Sequence, residues 1–252
     1  MSEHRIHTQL ASARPGDRLV IAGEEAQHAA RVKRCEINDL VGLLDGRGRT
    51  ASGRIAAVRK DSRTKQWELE VLIDRVAEHP RARPRVEIWS AVPKGGRLDD
   101  MIDQLSQVGA CGWAPLDTAR SVAEPTRHKL ARLGRIIVES AKQCGRPWLL
   151  EVGDGGSIVD AMRAGVVIFA DASGTPFQSS VPGPLPGLVR VLVGPEGGWT
   201  DEELSQARSA GAIVASFGPH AMRIETAAVA AAAIVLDQFR RPRGSPNEEA
   251  HP

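Results

Sequence analysis

The chain has 252 residues, 42% hydrophobic and 25% charged, with a formal net charge of +2. That balance excludes a disordered chain and leaves any nucleic-acid signal to local clusters, in one large or two modest domains with room for a core. Three widely spaced cysteines, Cys35, Cys111 and Cys144, read as buried reduced thiols rather than a disulfide or zinc framework. Leu10 and Leu19 sit in a charged stretch, so no signal peptide is expected, and the longest apolar run, Ala227 to Leu236, is too short to span a bilayer. A soluble cytoplasmic protein with no membrane and no metal partner is expected.

Residues 1–78 are rich in short alternating pieces: Arg18 to Ile21, Leu40 to Leu44, Gly53 to Val58 and Trp67 to Ile73. Pro15-Gly16-Asp17 and Asp45-Gly46-Arg47-Gly48 punctuate them, the second as a hairpin turn, and the pattern predicts a small barrel. His28 to Arg34 is the one helical-looking interruption. From Arg31 to Arg63 nine Lys/Arg face four acids, which makes either an RNA-backbone surface or a solvated charged face.

Glu78-His79-Pro80-Arg81-Ala82-Arg83-Pro84 is the candidate joint between domains 1–78 and 79–252. Val86 to Val92 reads as a strand closed by Pro93-Lys94-Gly95-Gly96. A helix from about Arg97 then carries Leu98, Met101, Ile102, Leu105 and Val108 on one stripe, with Gly109 past its end. A strand follows near Trp113 to Leu116. The helix from about Thr126 to Cys144 buries Leu130, Leu133, Ile137 and Ala141. Between Ala119 and Trp148 seven Lys/Arg oppose two acids, and that one-sided excess favours RNA contact over plain solvation. Val166 to Asp171 is an apolar strand, residues 174–188 a Pro/Gly/Ser-rich solvent loop, and the tail 241–252 is expected to be disordered.

The stretch around which the chain is organised runs from 189 to 235. A β-branched run, Val189 to Val193, ends in Gly194-Pro195-Glu196-Gly197-Gly198. A helix follows, opened by Thr200 with Glu203 three residues on, a capping box. A second apolar run, Ile213 to Phe217, ends in Gly218-Pro219-His220 and feeds an alanine-rich helix. Two strand–loop–helix units in succession predict a parallel sheet with its ligand at the carboxyl ends of the strands. The loop lacks the Lys-Ser/Thr of a phosphate-gripping Walker loop, and no G-x-G-x-x-G occurs, which disfavours a dinucleotide oxidoreductase.

Gly194-Pro195-Glu196-Gly197-Gly198-Trp199-Thr200 with Glu203, followed by Phe217-Gly218-Pro219-His220-Ala221-Met222-Arg223-Ile224-Glu225-Thr226, resembles the paired signature of the RsmE-type 16S ribosomal RNA (uridine-N3) methyltransferases of the SPOUT superfamily. Lys94-Gly95 with Asp99, Thr118 to Ser121 and Glu139 to Arg146 extend the likeness. Arg5 and His28 to Arg34 resemble the family's N-terminal PUA-like domain. The resemblance implies an α/β fold: a C-terminal SPOUT-type parallel sheet with a trefoil knot, plus a small PUA-like β-barrel domain. It implies methyl transfer from S-adenosylmethionine (SAM) to N3 of a uridine in 16S rRNA of the small ribosomal subunit, by a homodimer.

On that reading Val193, Gly194, Glu196, Gly197, Phe217, Gly218, Met222 and Arg223 form the cofactor pocket. Gly197→Glu would block it by filling space the backbone needs. Arg223 and Glu225 are the catalytic candidates; Arg223 would hold the uracil anion or pair with Glu225, and Glu225 also suits a helix cap. Arg5, Arg31, Lys33, Arg34, Lys94, Arg120, Arg132 and Arg146 are the expected RNA contacts. The sequence departs from the family pattern at His220 (usually Arg), Ile224 (usually Thr) and Gln107 (commonly Glu). A SPOUT methyltransferase acting on another RNA, and a non-catalytic RNA-binding assembly factor, remain the alternatives.

Overall fold

The computed structural model describes residues 4–63, 65–122, 126–180 and 187–238. The tail expectation lies outside them, as do residues 181–186. The rest of the 174–188 stretch is not the expected solvent loop, because the chain runs as strand to Pro176 and as helix over Phe177–Ser180, with Phe177 buried. In chain order the elements are β1 (His4–His7), β2 (Arg18–Ala22), α1 (Glu24–Gln27, continued by a π-turn, His28–Val32), β3 (Leu40–Leu44), β4 (Arg49–Lys60), β5 (Trp67–Glu78), β6 (Arg85–Ser90), α2 (Arg97–Val108) and β7 (Gly112–Asp117). Then come α3 (Arg127–Cys144), β8 (Glu151–Val152), β9 (Gly156–Ser157), α4 (Ile158–Ala161), β10 (Val166–Pro176), α5 (Phe177–Ser180), β11 (Leu188–Val193), α6 (Asp201–Ser209), β12 (Ile213–Ser216) and α7 (Ile224–Gln238).

Two compact units emerge: Met1–Ala82 with Ile102–Gln107 and Thr126–Glu151, and Arg83–Met101 with Val108–Pro125 and Val152–Pro252. In the first, a five-stranded sheet runs in the order β1-β3-β4-β5-β2. Strand alternation turns Ile6, Ile21, Val41, Leu43, Ile55, Leu69, Val71 and Ile73 onto one shared core with Ala26 and Ala29, so the sheet must curl for its two end strands to meet the same interior. The hairpin of β4 and β5 is longer than its sequence pattern suggested, because two register shifts, at Ser52/Gly53 and Ile55/Ala57, break the alternation that marks a strand. The four-residue β1, parallel to β3, carries too little pattern to announce itself. Thr126 caps α3 by accepting from the Lys129 amide at 3.3 Å. Leu133, Ile137 and Ala141 are buried on α3 as expected.

The second unit is built on a sheet ordered β12-β10-β11-β6-β7, with parallel pairing from β12 through β7. Its strands are near-continuous Val/Ile/Leu runs because both faces are covered. Helix α7 packs over β6 and β11, burying Ile224, Ala228, Ala231, Ala232 and Val235. On α2 the expected stripe is realised, with Leu98, Met101, Ile102 and Leu105 buried.

The chain order within this sheet decides where a ligand can sit. After β11 the chain crosses over β10 to place β12 on its far side, so the carboxyl ends of β11, β10 and β12 stand side by side. Such reversals in strand order open a crevice at the sheet edge. Strand β10 also carries an insert there: Ala215 of β12 lies opposite both Ala170 and Thr175, so residues 171–174 bulge out at the same edge.

The cysteine expectation holds only in part. All three are free, but Cys144 is exposed at the end of α3 and Cys35 and Cys111 are half-buried. Helix ends are solvated unless a neighbour covers them, which spacing along the chain does not report.

Candidate active site

Three strand ends converge on a cavity of about 240 Å³. Its walls are Ala170 to Ala172 after β10, Val193 to Glu196 with Gly198 and Trp199 after β11, and Ser216 to Gly218 with His220 to Met222 after β12. Ile224 and Ala227 of α7 close it. Of the residues expected from sequence, Val193, Gly194, Glu196, Phe217, Gly218 and Met222 are brought together here. Gly197 and Arg223, expected in the pocket, stand outside its lining.

The loop after β11 has a physical reason for each small residue. Gly198 adopts φ +69°, the left-handed region that favours glycine, and its amide closes a turn on the Pro195 carbonyl at 2.9 Å. A Cβ on Gly194 would lie 2.9 Å from the Trp199 ring. That indole is the floor of the loop: it donates from Nε1 to the Ala170 carbonyl at 3.1 Å and tilts against Phe169, centroids 4.8 Å apart. The predicted capping box of α6 is present. Thr200 accepts from the Glu203 amide at 3.1 Å, and Glu203 Oε2 accepts from the Thr200 amide at 2.8 Å. The other oxygen of Glu203 accepts from the Ala119 amide at 2.9 Å, tying the turn after β7 to the start of α6. Phe217 stacks on buried Phe177 at 5.1 Å, fixing the turn after β12.

Sequence reasoning missed Ala170, Asp171, Ala172, Trp199, Ser216 and His220 as lining. Trp199 and His220 stand in the paired signature without being assigned to the pocket, and the strand ending in Asp171-Ala172-Ser173-Gly174 reaches the cavity only because sheet order puts that end between the other two. Asp171 is shaped locally: its Oδ1 accepts from the Ser173 amide at 2.8 Å and from the Ser173 hydroxyl at 2.5 Å.

Arg223 is exposed and makes no ion pair among the described residues. The pairing with Glu225 weighed from sequence is not formed; Glu225 Oε1 instead lies 3.7 Å from Arg97 Nε. Of the expected RNA contacts, Arg31, Lys33, Arg34, Lys94, Arg120 and Arg132 are exposed. Three of the eight have guanidinium donors on backbone carbonyls: Arg5 on Lys142 and Gln143 at 3.2 and 3.3 Å, Arg146 on Ser106 at 2.7 Å, and Arg120 on Gly197 and Trp199 at 2.6 and 3.2 Å. In the first unit a second cleft, about 230 Å³, is lined by Arg5, Arg75, Thr50, Ser52 and His79 among others. Thr50 Oγ1 and His79 Nε2 are hydrogen-bonded there at 2.8 Å.

Buried charge in the first unit is compensated. Lys142, 7% exposed, lies 2.9 Å from Glu25 and 2.7 Å from Glu139. Burial works against its charge, yet the hydrogen bonds to Glu139 and Glu25 prevail and hold its pKa above the ordinary lysine value. His4 shows the opposite balance: burial first, then the positive fields of Lys33, His28 and Lys142, push its pKa down, with Glu25 opposing. Among the described residues there is no grouping of three or more metal-ligating side chains, and no helix is long and apolar enough to cross a membrane.

Residues 80–236 match the family model of an RNA methyltransferase domain, and residues 21–63 that of an RNA methyltransferase PUA domain. Ribosomal RNA small subunit methyltransferase E of Synechocystis sp. is 33% identical over 171 residues, which cover 64% of this chain and 56% of that protein. The protein of the same name from Bacillus subtilis is 27% identical over 240 residues, 89% of this chain and 91% of that one. A methyltransferase from Legionella pneumophila, solved with its bound cofactor SAM, is 27% identical with a TM-score of 0.79, covering 94% of this chain and 98% of that one.

Proposed function

The chain belongs to the RNA methyltransferase family whose model spans residues 80–236, and from that premise we propose that it transfers a methyl group from SAM to N3 of one uridine in 16S rRNA of the small ribosomal subunit. The observation that carries the cofactor is the cavity lining. Its lining includes the acidic residues Asp171 and Glu196, residues of two tight turns, and the aromatic residues Trp199 and Phe217, with no lysine or arginine among the described lining residues. A sulfonium donor is a cation. It is favoured by carboxylates and would be repelled by the ammonium and guanidinium groups of a phosphate cradle. The small-subunit rRNA methyltransferases of Synechocystis and Bacillus subtilis, and the SAM complex of the Legionella protein, support the same reading.

When bound, SAM supplies a methyl group already activated by its positive sulfur. The chain's own task is alignment and management of charge. Val193, Gly194, Glu196, Phe217, Gly218 and Met222 hold the donor, while Gly197 shapes the loop from behind. Arg223, between the lining residues Met222 and Ile224, would hold the uracil oxygens and stabilise the negative charge left on the imide when the N3 proton passes to water. Glu225, tied to Arg97, orients the first turn of α7 and so the approach of Arg223. N3 lies on the Watson–Crick edge, so the uridine must arrive unpaired. Residues 1–78 form the RNA-binding PUA-like domain and residues 79–252 the SPOUT domain with its trefoil knot, in a cytoplasmic homodimer.

Mass-spectrometric nucleoside mapping of small-subunit rRNA tests this. A strain lacking the gene should lose one 3-methyluridine and regain it on complementation. An unchanged modification profile would sink the proposal.

A further inference from the structure

The expectation for Arg120 was RNA contact. Its geometry points elsewhere. Arg120 lies in the turn after β7, and a single guanidinium nitrogen, Nη1, donates to the Gly197 carbonyl at 2.6 Å and to the Trp199 carbonyl at 3.2 Å. Its stem is in place as well: a Cβ on Gly197 would meet Arg120 Cδ at 3.3 Å and Arg120 Cβ at 3.5 Å. A side chain at Gly197 would therefore crowd the arginine stem, which would have to give by a few tenths of an ångström even for a methyl group.

The turn that carries Arg120 is itself fixed. The Thr118 amide donates to Ser121 Oγ at 3.1 Å, the two hydroxyls are 2.9 Å apart, and the Ala119 amide donates to Glu203 at 2.9 Å. A chain segment about eighty residues away in sequence thus grips the cavity loop at two carbonyls and at the cap of the next helix.

We propose that Arg120 is a positioning residue for the methyl-donor cavity: by holding the Gly197 and Trp199 carbonyls it keeps Glu196 and the Trp199 floor where the donor binds. The proposal rests on the cavity being the SAM site. The two peptide units held in this way are fixed from their amide side as well, Gly198 on the Pro195 carbonyl at 2.9 Å and Thr200 on Glu203 at 2.8 Å, so the clamp completes the fixing of the loop that carries Glu196. Lysine cannot substitute fully, because its ammonium on a flexible stem lacks the planar, pre-aimed donors.

The test is calorimetric titration of SAM and of S-adenosylhomocysteine into the full-length wild type, Arg120→Ala, Arg120→Lys and Gly197→Ala, with filter binding of deproteinised 16S rRNA alongside. Arg120→Ala should weaken SAM binding roughly 10- to 100-fold, as expected for loss of charge-assisted hydrogen bonds. The KM for SAM should rise in step, with kcat at saturating SAM retained and rRNA affinity kept within about twofold. Arg120→Lys should recover part of the loss. Gly197→Ala, which displaces the stem but keeps the charge, should weaken SAM and not rRNA, and it keeps the test decisive if Arg120→Ala does not fold. Unchanged SAM affinity with weakened rRNA binding in Arg120→Ala would make Arg120 an RNA contact and overturn the clamp. A wild type that takes up no SAM would overturn the cofactor reading itself, a separate result.

Discussion

The two clefts are almost the same size, about 240 and 230 Å³, and are made of opposite materials. The cavity at the ends of β10, β11 and β12 has carboxylates, rings and backbone and no cation among its described lining residues; the cleft of the first unit carries Arg5 and Arg75. Volume therefore says little about what either could hold, whereas the sign of the lining says a great deal. A cationic small molecule suits the first and a polyanion the second. The net charge of +2 averages over this division and conceals it.

The largest expected effect comes from the compensated charges beneath the cationic cleft's unit. Lys142→Met removes the partner of Glu25 and leaves that carboxylate half-buried, so the urea midpoint should fall by the equivalent of about 3 kcal/mol, as when one member of a buried pair is lost. If the midpoint holds, the pair is solvated and the contrast between the units weakens. Next, Asp171→Lys puts a cation into the cationless cavity and should weaken SAM binding by about tenfold or more while leaving rRNA affinity unchanged. The mirror-image change is Arg75→Glu. It should weaken rRNA binding several-fold and lower the slope of log affinity against log salt by about 1, with SAM binding intact. Were both variants to impair both ligands equally, the clefts would not be chemically separate.

The smallest effect is a pH dependence in the first unit. His4 has its folded-state pKa pushed below the usual 6.5, so the unfolded chain binds its proton first as pH falls. The neutral folded form thus contributes fully above about pH 6.5, and that contribution is lost progressively below it, levelling off once the folded-state pKa is passed. His4→Phe should flatten this part of the stability–pH profile in chemical denaturation. A profile unchanged by the substitution would mean that burial does not restrain His4.

What could be read from the sequence was local. The capping box of Thr200 and Glu203, the stripe on α2, and the glycine loop between β11 and α6 all depend on residues within a few positions of each other, where spacing translates directly into geometry. The rest depends on topology. Asp171 reads as a strand end until the crossover of β11 to β12 places it in a wall. Arg120 reads as one more surface cation until the fold sets it against Gly197. Arg223 and Glu225, close enough in sequence to suggest a pair, do not form one; Glu225 lies instead against Arg97, far away along the chain.

The insert in β10 has one more consequence. Because residues 171–174 leave and rejoin the ladder opposite the same residue, Ala215, their number is decoupled from the sheet's register. A relative could lengthen, shorten or rewrite this wall and so reshape the cavity without moving a single strand.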